Sequence, residues 1–145
     1  MRQVRSSVFE TNSSSVHAIA FSMGGMEESN LPMTRDGKVK VKYGKFGREE
    51  AEYNDQETKL SYLMTLCYYI ANGDEVEGEY HFREIEDAVM EYIPNCTGIK
   101  IVGGEPKLDH QSYPEYGIEI INIWDHDAVQ NYIFNPNIYL TTGSD

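Results

Sequence analysis

An α+β domain, with a small, mostly antiparallel sheet and two to three helices packed on one face, is the fold class this sequence predicts. Three observations point there: β-type segments lie towards both ends, two central segments carry helical apolar spacing, and turn residues separate them. A chain of 145 residues has the length of one domain, so residues 1–145 are read as a single unit.

The elements follow in order. Residues 15–23 alternate with period two, placing His17, Ile19, Phe21 and Met23 on one strongly apolar face of a strand. Glycine, serine, asparagine and proline make residues 24–32 a connection. Asp36-Gly37 signals a tight turn before a strand in which Lys38, Lys40 and Lys42 alternate with Val39, Val41 and Tyr43, an edge guarded by its lysines. Residues 44–47 read as a turn, and the acidic residues 49–55 as a helix start or an exposed loop.

The surest helix covers residues 58–71, where Leu60, Leu63, Met64, Cys67, Tyr68 and Ala71 recur at three- and four-residue steps and Asn72-Gly73 supplies the stop. A charged loop is expected next, then a second amphipathic helix over residues 81–93 ended by Pro94-Asn95, with His81 at its start on the surface. Tyr62, Tyr68 and Tyr69 of the first helix are core residues or aromatic anchors for a partner. Residues 98–103 form a short strand between glycines, and a loop holding Pro106 and Pro114 follows. Residues 117–124 fit either a strand or the lead-in to a helix, which Asp125 then caps and Asn135-Pro136 stops. Residues 138–142 make a final strand.

Charge is the most informative bulk property. The net charge is −12, and it is unevenly spread: residues 1–48 hold eight Lys/Arg against four acids, and residues 49–145 hold four against twenty. The resulting −16 segment would repel nucleic acid and anionic membrane, which leaves a basic protein surface as the expected partner. No apolar run reaches the length of about 20 residues that a spanning helix needs, and a polar block follows the first residues where a secretory signal would place its apolar core. A cytoplasmic protein is expected. Cys67 and Cys96 stand singly without metal-type spacing, as buried free thiols.

Two polar clusters carry the candidate chemistry. The run Glu10-Thr11-Asn12-Ser13-Ser14-Ser15-Val16-His17 has three readings: side-chain turns before a strand, a nucleophilic site with Ser15, His17 as base and Glu10 as orienter, or an anion cradle of Asn12, Ser13 and Ser14 beside Arg5. Ser15 and His17 share a strand face, whereas Ser14 points away. Asp109-His110-Gln111-Ser112 is either an Asx-type turn or, through Asp109 and His110, an acid/base pair or ligand pair able to join the first cluster. Asp125-His126-Asp127 has a metal-like composition that helix capping explains more simply. No phosphate-loop, dinucleotide, zinc-protease or zinc-finger pattern occurs, so neither a metal nor a cofactor is expected.

The segment Phe9-Glu10-Thr11-Asn12-Ser13-Ser14-Ser15-Val16-His17 resembles the opening of short proteins from bacteriophages and mobile elements of Gram-positive bacteria, which carry Phe-Glu-Thr-Asn-Ser-Ser-Ser-x-His. The likeness extends to Lys59-Leu60-Ser61-Tyr62-Leu63, Asp109-His110-Gln111-Ser112, Phe134-Asn135-Pro136 and Thr142-Gly143-Ser144-Asp145. It implies a phage or mobile-element setting and brings no activity with it.

The expected function is therefore that of an acidic, non-enzymatic binding protein. It would block a basic surface on a host nucleic-acid-handling or defence protein or nucleoprotein complex, in the manner of an anti-CRISPR-like inhibitor, without direct nucleic-acid contact. Glu49, Glu50, Glu52, Asp55, Glu84, Asp87 and Glu91 are its contact candidates. Two alternatives stay open: a small hydrolase or transferase built on the 10–17 and 109–112 segments, and a structural or assembly protein in which these segments are turns.

Overall fold

In the computed structural model, which describes residues 18–20, 25–47, 50–108 and 121–142, a helical centre is flanked by short strands. The elements run β1 (Ala18–Ala20), β2 (Lys38–Val41), β3 (Lys45–Phe46), β4 (Ala51–Tyr53), α1 (Gln56–Gly73), α2 (Glu75–Tyr92), β5 (Gly98–Ile101), β6 (Lys107–Leu108), α3 (His126–Phe134) and β7 (Tyr139–Thr142). This is an α+β arrangement, but its sheets are mixed rather than mostly antiparallel. β7 lies between β1 and β4 and is antiparallel to both, whereas β2–β5 and β3–β6 are parallel pairs. The helices explain the difference, because α1 and α2 are inserted between β2 and β5 and a long crossover lets a later strand return parallel to an earlier one.

β2 keeps the pattern its sequence announces, with Val39 and Val41 buried between half-exposed lysines. Its entry turn needs a left-handed residue, supplied by Gly37 at φ +93°. The Thr34 hydroxyl donates to the Asp36 carboxylate in that turn, and this bond holds the carboxyl below its ordinary range, helped by Lys38 and Lys100. Two expectations fail nearby. Residues 51–53 form β4, which pairs Glu52 with Thr141 of β7, so the acidic stretch is neither helix start nor loop there; and Lys45–Phe46, expected in a turn, pairs with Lys107–Leu108.

α1 is the central helix. Asp55 caps it, its carboxylate accepting from the Thr58 amide at 2.9 Å. The sequence predicts a one-sided apolar stripe, yet from Gln56 to Cys67 almost every residue is buried, because α2, α3, β2 and β6 all pack around it. The polar residues inside that shell are each satisfied. Gln56 donates to the Glu28 carbonyl at 2.9 Å and accepts from the Asn30 amide at 2.8 Å, tying the 28–30 segment to the helix. Lys59 is wholly buried, and its Nζ donates to the Asn135 and Ile138 carbonyls at 2.8 and 2.9 Å. The turn between α3 and β7 is thus fastened to α1 by one amine, whose pKa burial pulls down to about 8.

The junction between α1 and α2 departs furthest from expectation. No charged loop separates them: Asp74 alone ends α1, its amide donating to the Ile70 carbonyl at 2.8 Å, and caps α2, its carboxylate accepting from the Glu77 amide at 3.2 Å. α2 therefore begins six residues before His81. His81 does not open the helix at the surface but lies within it, 6% exposed, where its Nδ1–H donates to the Glu77 carbonyl at 2.7 Å.

Candidate functional site

α2 presents the most strongly charged surface among the described residues. Its eighteen residues hold seven acids, Glu75, Glu77, Glu79, Glu84, Glu86, Asp87 and Glu91, against one arginine. Gly78, His81, Ile85, Ala88 and Val89 turn inward, towards α1 and α3. Glu75 and Glu77 sit in the first turn, where the helix dipole favours carboxylates. Arg83 is paired with Glu79, four residues earlier, at 3.3 Å. Glu86 is engaged differently, accepting from the Ile99 amide at 3.0 Å and so joining α2 to β5.

Glu84 and Glu91 lie seven residues apart on one stripe of α2 and clasp a single imidazole. His126, the first residue of α3, has Nδ1 2.7 Å from a Glu91 oxygen and Nε2 3.1 Å from a Glu84 oxygen. Both carboxylates accept, so both ring nitrogens must carry protons, and this geometry calls for the imidazolium. The two bonds, that to Glu91 first, raise the His126 pKa above its ordinary value. A raised folded-state pKa means that the clasp stabilises fully below the unfolded value near 6.5 and is lost as pH rises through the folded value. With a side chain 25% exposed, His126→Ala should cost about 1 kcal/mol at pH 5.5. That difference should shrink when urea denaturation of both proteins is repeated at pH 8.5, and an unchanged difference would remove the ion-pair role.

Beside the clasp, two aromatic side chains face outward. Trp124 sits in the turn before α3, its amide donating to Asn122 Oδ1 at 3.0 Å, while Asp125 next to it caps α3 by accepting from the Asp127 and Ala128 amides. The Trp124 ring meets Tyr80 of α2 at 5.2 Å between centroids and 55° between planes, with His81 5.6 Å away. Tyr80 is 55% exposed and Trp124 50%. Neither residue stands out in the sequence, whose tyrosine-rich segment, the source of the expected aromatic anchors, is on α1. There Tyr62 is in the core, the Tyr69 hydroxyl reaches the Pro106 carbonyl and the Leu108 amide, and Tyr68, which is 37% exposed, packs its ring against Tyr43 and Tyr69. The available signal was position: Tyr80 is four residues before Glu84, on the acid-rich stripe.

The sequence-predicted contact residues fall on two parts of the fold. Glu84, Asp87 and Glu91 are on α2; Glu50 and Glu52 are exposed at β4, and Asp55 caps α1. Glu49 lies outside the described residues, as do Glu10, Ser15, His17, Asp109 and His110 of the catalytic alternative and Arg5, Asn12, Ser13 and Ser14 of the anion-binding one. A groove of about 700 Å³ at the start of α1 is lined by Lys40 and Lys42 opposite Asp55 and Glu57. Its polar groups serve the fold, since Asp55 is the cap and Ser61 donates to the Lys42 carbonyl at 2.6 Å. Both cysteines are buried and free, and burial raises the Cys67 thiol to about 12, far from nucleophilic use. Among the described residues no group of three or more His, Cys, Asp or Glu could hold a metal ion, and no helix is long and apolar enough to cross a membrane. Comparison with protein-family models, with curated proteins and with solved structures returns no match.

Proposed function

We propose that this chain is a small acidic binding protein of phage or mobile-element type. It acts without chemistry of its own, occupying a basic surface on a host nucleic-acid-handling or defence protein and blocking it, as an anti-CRISPR-like inhibitor. The reading rests chiefly on one observation: α2 offers seven acids against a single arginine that is already paired. Complementary charge speeds encounter and selects partners, and a surface of this sign disfavours DNA, RNA and anionic lipid.

The test is capture of partners by the tagged protein from a Gram-positive host lysate, with nuclease, at low and high salt. A basic protein retained after nuclease and released by salt is expected. Glu75→Lys, Glu79→Lys and Asp87→Lys together should lower its affinity at least about tenfold and flatten the salt dependence. These three side chains are exposed and cap nothing, so the fold should survive. Unchanged affinity in the triple variant would refute the reading.

A further inference from the structure

We propose that the Tyr80–Trp124 pair is the anchor of that surface and takes an arginine side chain from the partner; the inference rests on the acidic-face reading and names where its specificity lies. Val76, Tyr80, Glu84, Asp87 and Glu91 follow one another at three- and four-residue steps along α2, and Trp124 closes on the same stripe from the turn before α3. Val76 is 77% exposed, so the stripe begins with an open apolar patch and continues into acids. An aromatic pair this exposed is poorly placed for water alone and well placed for a partner.

Charge chooses the occupant. Glu77 and Glu84 flank Tyr80 at the neighbouring helical steps, and Asp125 and Asp127 stand near Trp124 in the chain; of the basic groups nearby, Arg83 is paired with Glu79, His126 is held by Glu84 and Glu91, and His81 is buried against the Glu77 carbonyl. A nucleotide or nucleic-acid strand stacking its base here would bring a phosphate into this rim, and a second copy of the chain would bring an identical rim; both are repelled. A guanidinium is drawn to the acids and also stacks on indole and phenol faces, as its planar, weakly hydrated head allows. The tilted rings, each about half exposed, leave room for it.

Trp124 is the sole tryptophan of the chain, so its emission reads the site directly. The experiment titrates the full chain with hexa-arginine and with hexa-lysine peptide at low salt, following emission together with calorimetry. A saturable change in Trp124 emission is expected, with hexa-arginine tighter than hexa-lysine. Tyr80→Leu, which keeps apolar bulk and removes the aromatic face, should weaken hexa-arginine about fivefold, and Tyr80→Phe should not. Peptide binding in the calorimeter that leaves emission and the Tyr80→Leu affinity unchanged would overturn the anchor while the acidic-face reading stands. No binding of either peptide would overturn both. A concentration-dependent emission change without peptide, with dimers in sedimentation, would give the patch to a second copy and overturn the proposal.

Discussion

Lys59→Met should lower stability by about 3 kcal/mol, seen as a fall in melting temperature of roughly 10 °C for a chain of this size. The substitution keeps the buried stem and withdraws the donors that reach the Asn135 and Ile138 carbonyls, so the turn between α3 and β7 loses its tie to α1. Its pH signature separates this from simple loss of packing. Lys59 titrates near 8 in the folded state against 10.5 for an ordinary lysine, because burial disfavours the ammonium; only its attraction to Asp55 works the other way. Between these values the unfolded chain binds more protons than the folded one, so the Lys59 contribution to stability rises as pH goes from about 8 towards 10.5. Tyr62 and Tyr132, both buried, have pKa values pushed well above 10 and act oppositely at the upper end, since they ionise first in the unfolded chain. The informative comparison is therefore denaturation at pH 7.5 and 9.5, where the wild-type protein should gain relative to Lys59→Met. A constant difference would mean that Lys59 keeps its proton in the folded state across this range, as an ordinary lysine does.

The second large effect is at Gly78. A Cβ built there would lie 2.6 Å from the Ala71 amide nitrogen, and closer still to Ala71 Cα and Cβ, where real contacts do not occur. The single-residue junction at Asp74 is the cause: the last turn of α1 and the first of α2 have no slack in which to separate. Gly78→Val should cost about 3 kcal/mol through this overpacking. Helix propensity argues the other way, since glycine inside a helix is about 1 kcal/mol worse than alanine, so even Gly78→Ala should destabilise only if the close approach outweighs that gain. The control is Gly73, which has open space around a built Cβ and no positive φ. Gly73→Ala should be neutral or slightly stabilising by thermal melt, although it stands where a terminal glycine is ordinarily required. Equal responses at 73 and 78 would refute the tight-junction account.

These two residues also mark where reading the chain stops being sufficient. The third helix was legible at both ends because its signals are local: the Asp125 cap, which satisfies amides within three residues, and the Asn135 stop stand where the sequence places them, whereas the equally local caps Asp55 and Asp74 fall in stretches whose acidity reads as loop. The Lys-Val alternation of β2 was legible because a strand with one buried face writes its period into the residues. The α1–α2 junction was not. Residues 75–80 are polar enough to read as a loop, and only packing of Gly78 against Ala71 and the buried side of His81 reveal them as helix. The candidate surface divides in the same way. Its acids were evident from charge, whereas Tyr80 and Trp124 are forty-four positions apart and meet only because α3 docks beside α2.

By itself, then, the sequence determined the α+β class, the Asp36-Gly37 turn, the Asp125 cap, and a strongly acidic second part of the chain. All are consequences of neighbouring residues or of a simple charge count, which need no knowledge of what packs on what. Tertiary structure alone decided the parallel strand pairs, the complete burial of Lys59, the His126 clasp and the Tyr80–Trp124 contact. Each joins groups far apart in the chain, and the free energy that selects such contacts comes from burial and from satisfying polar groups inside the packed core, neither of which local spacing records.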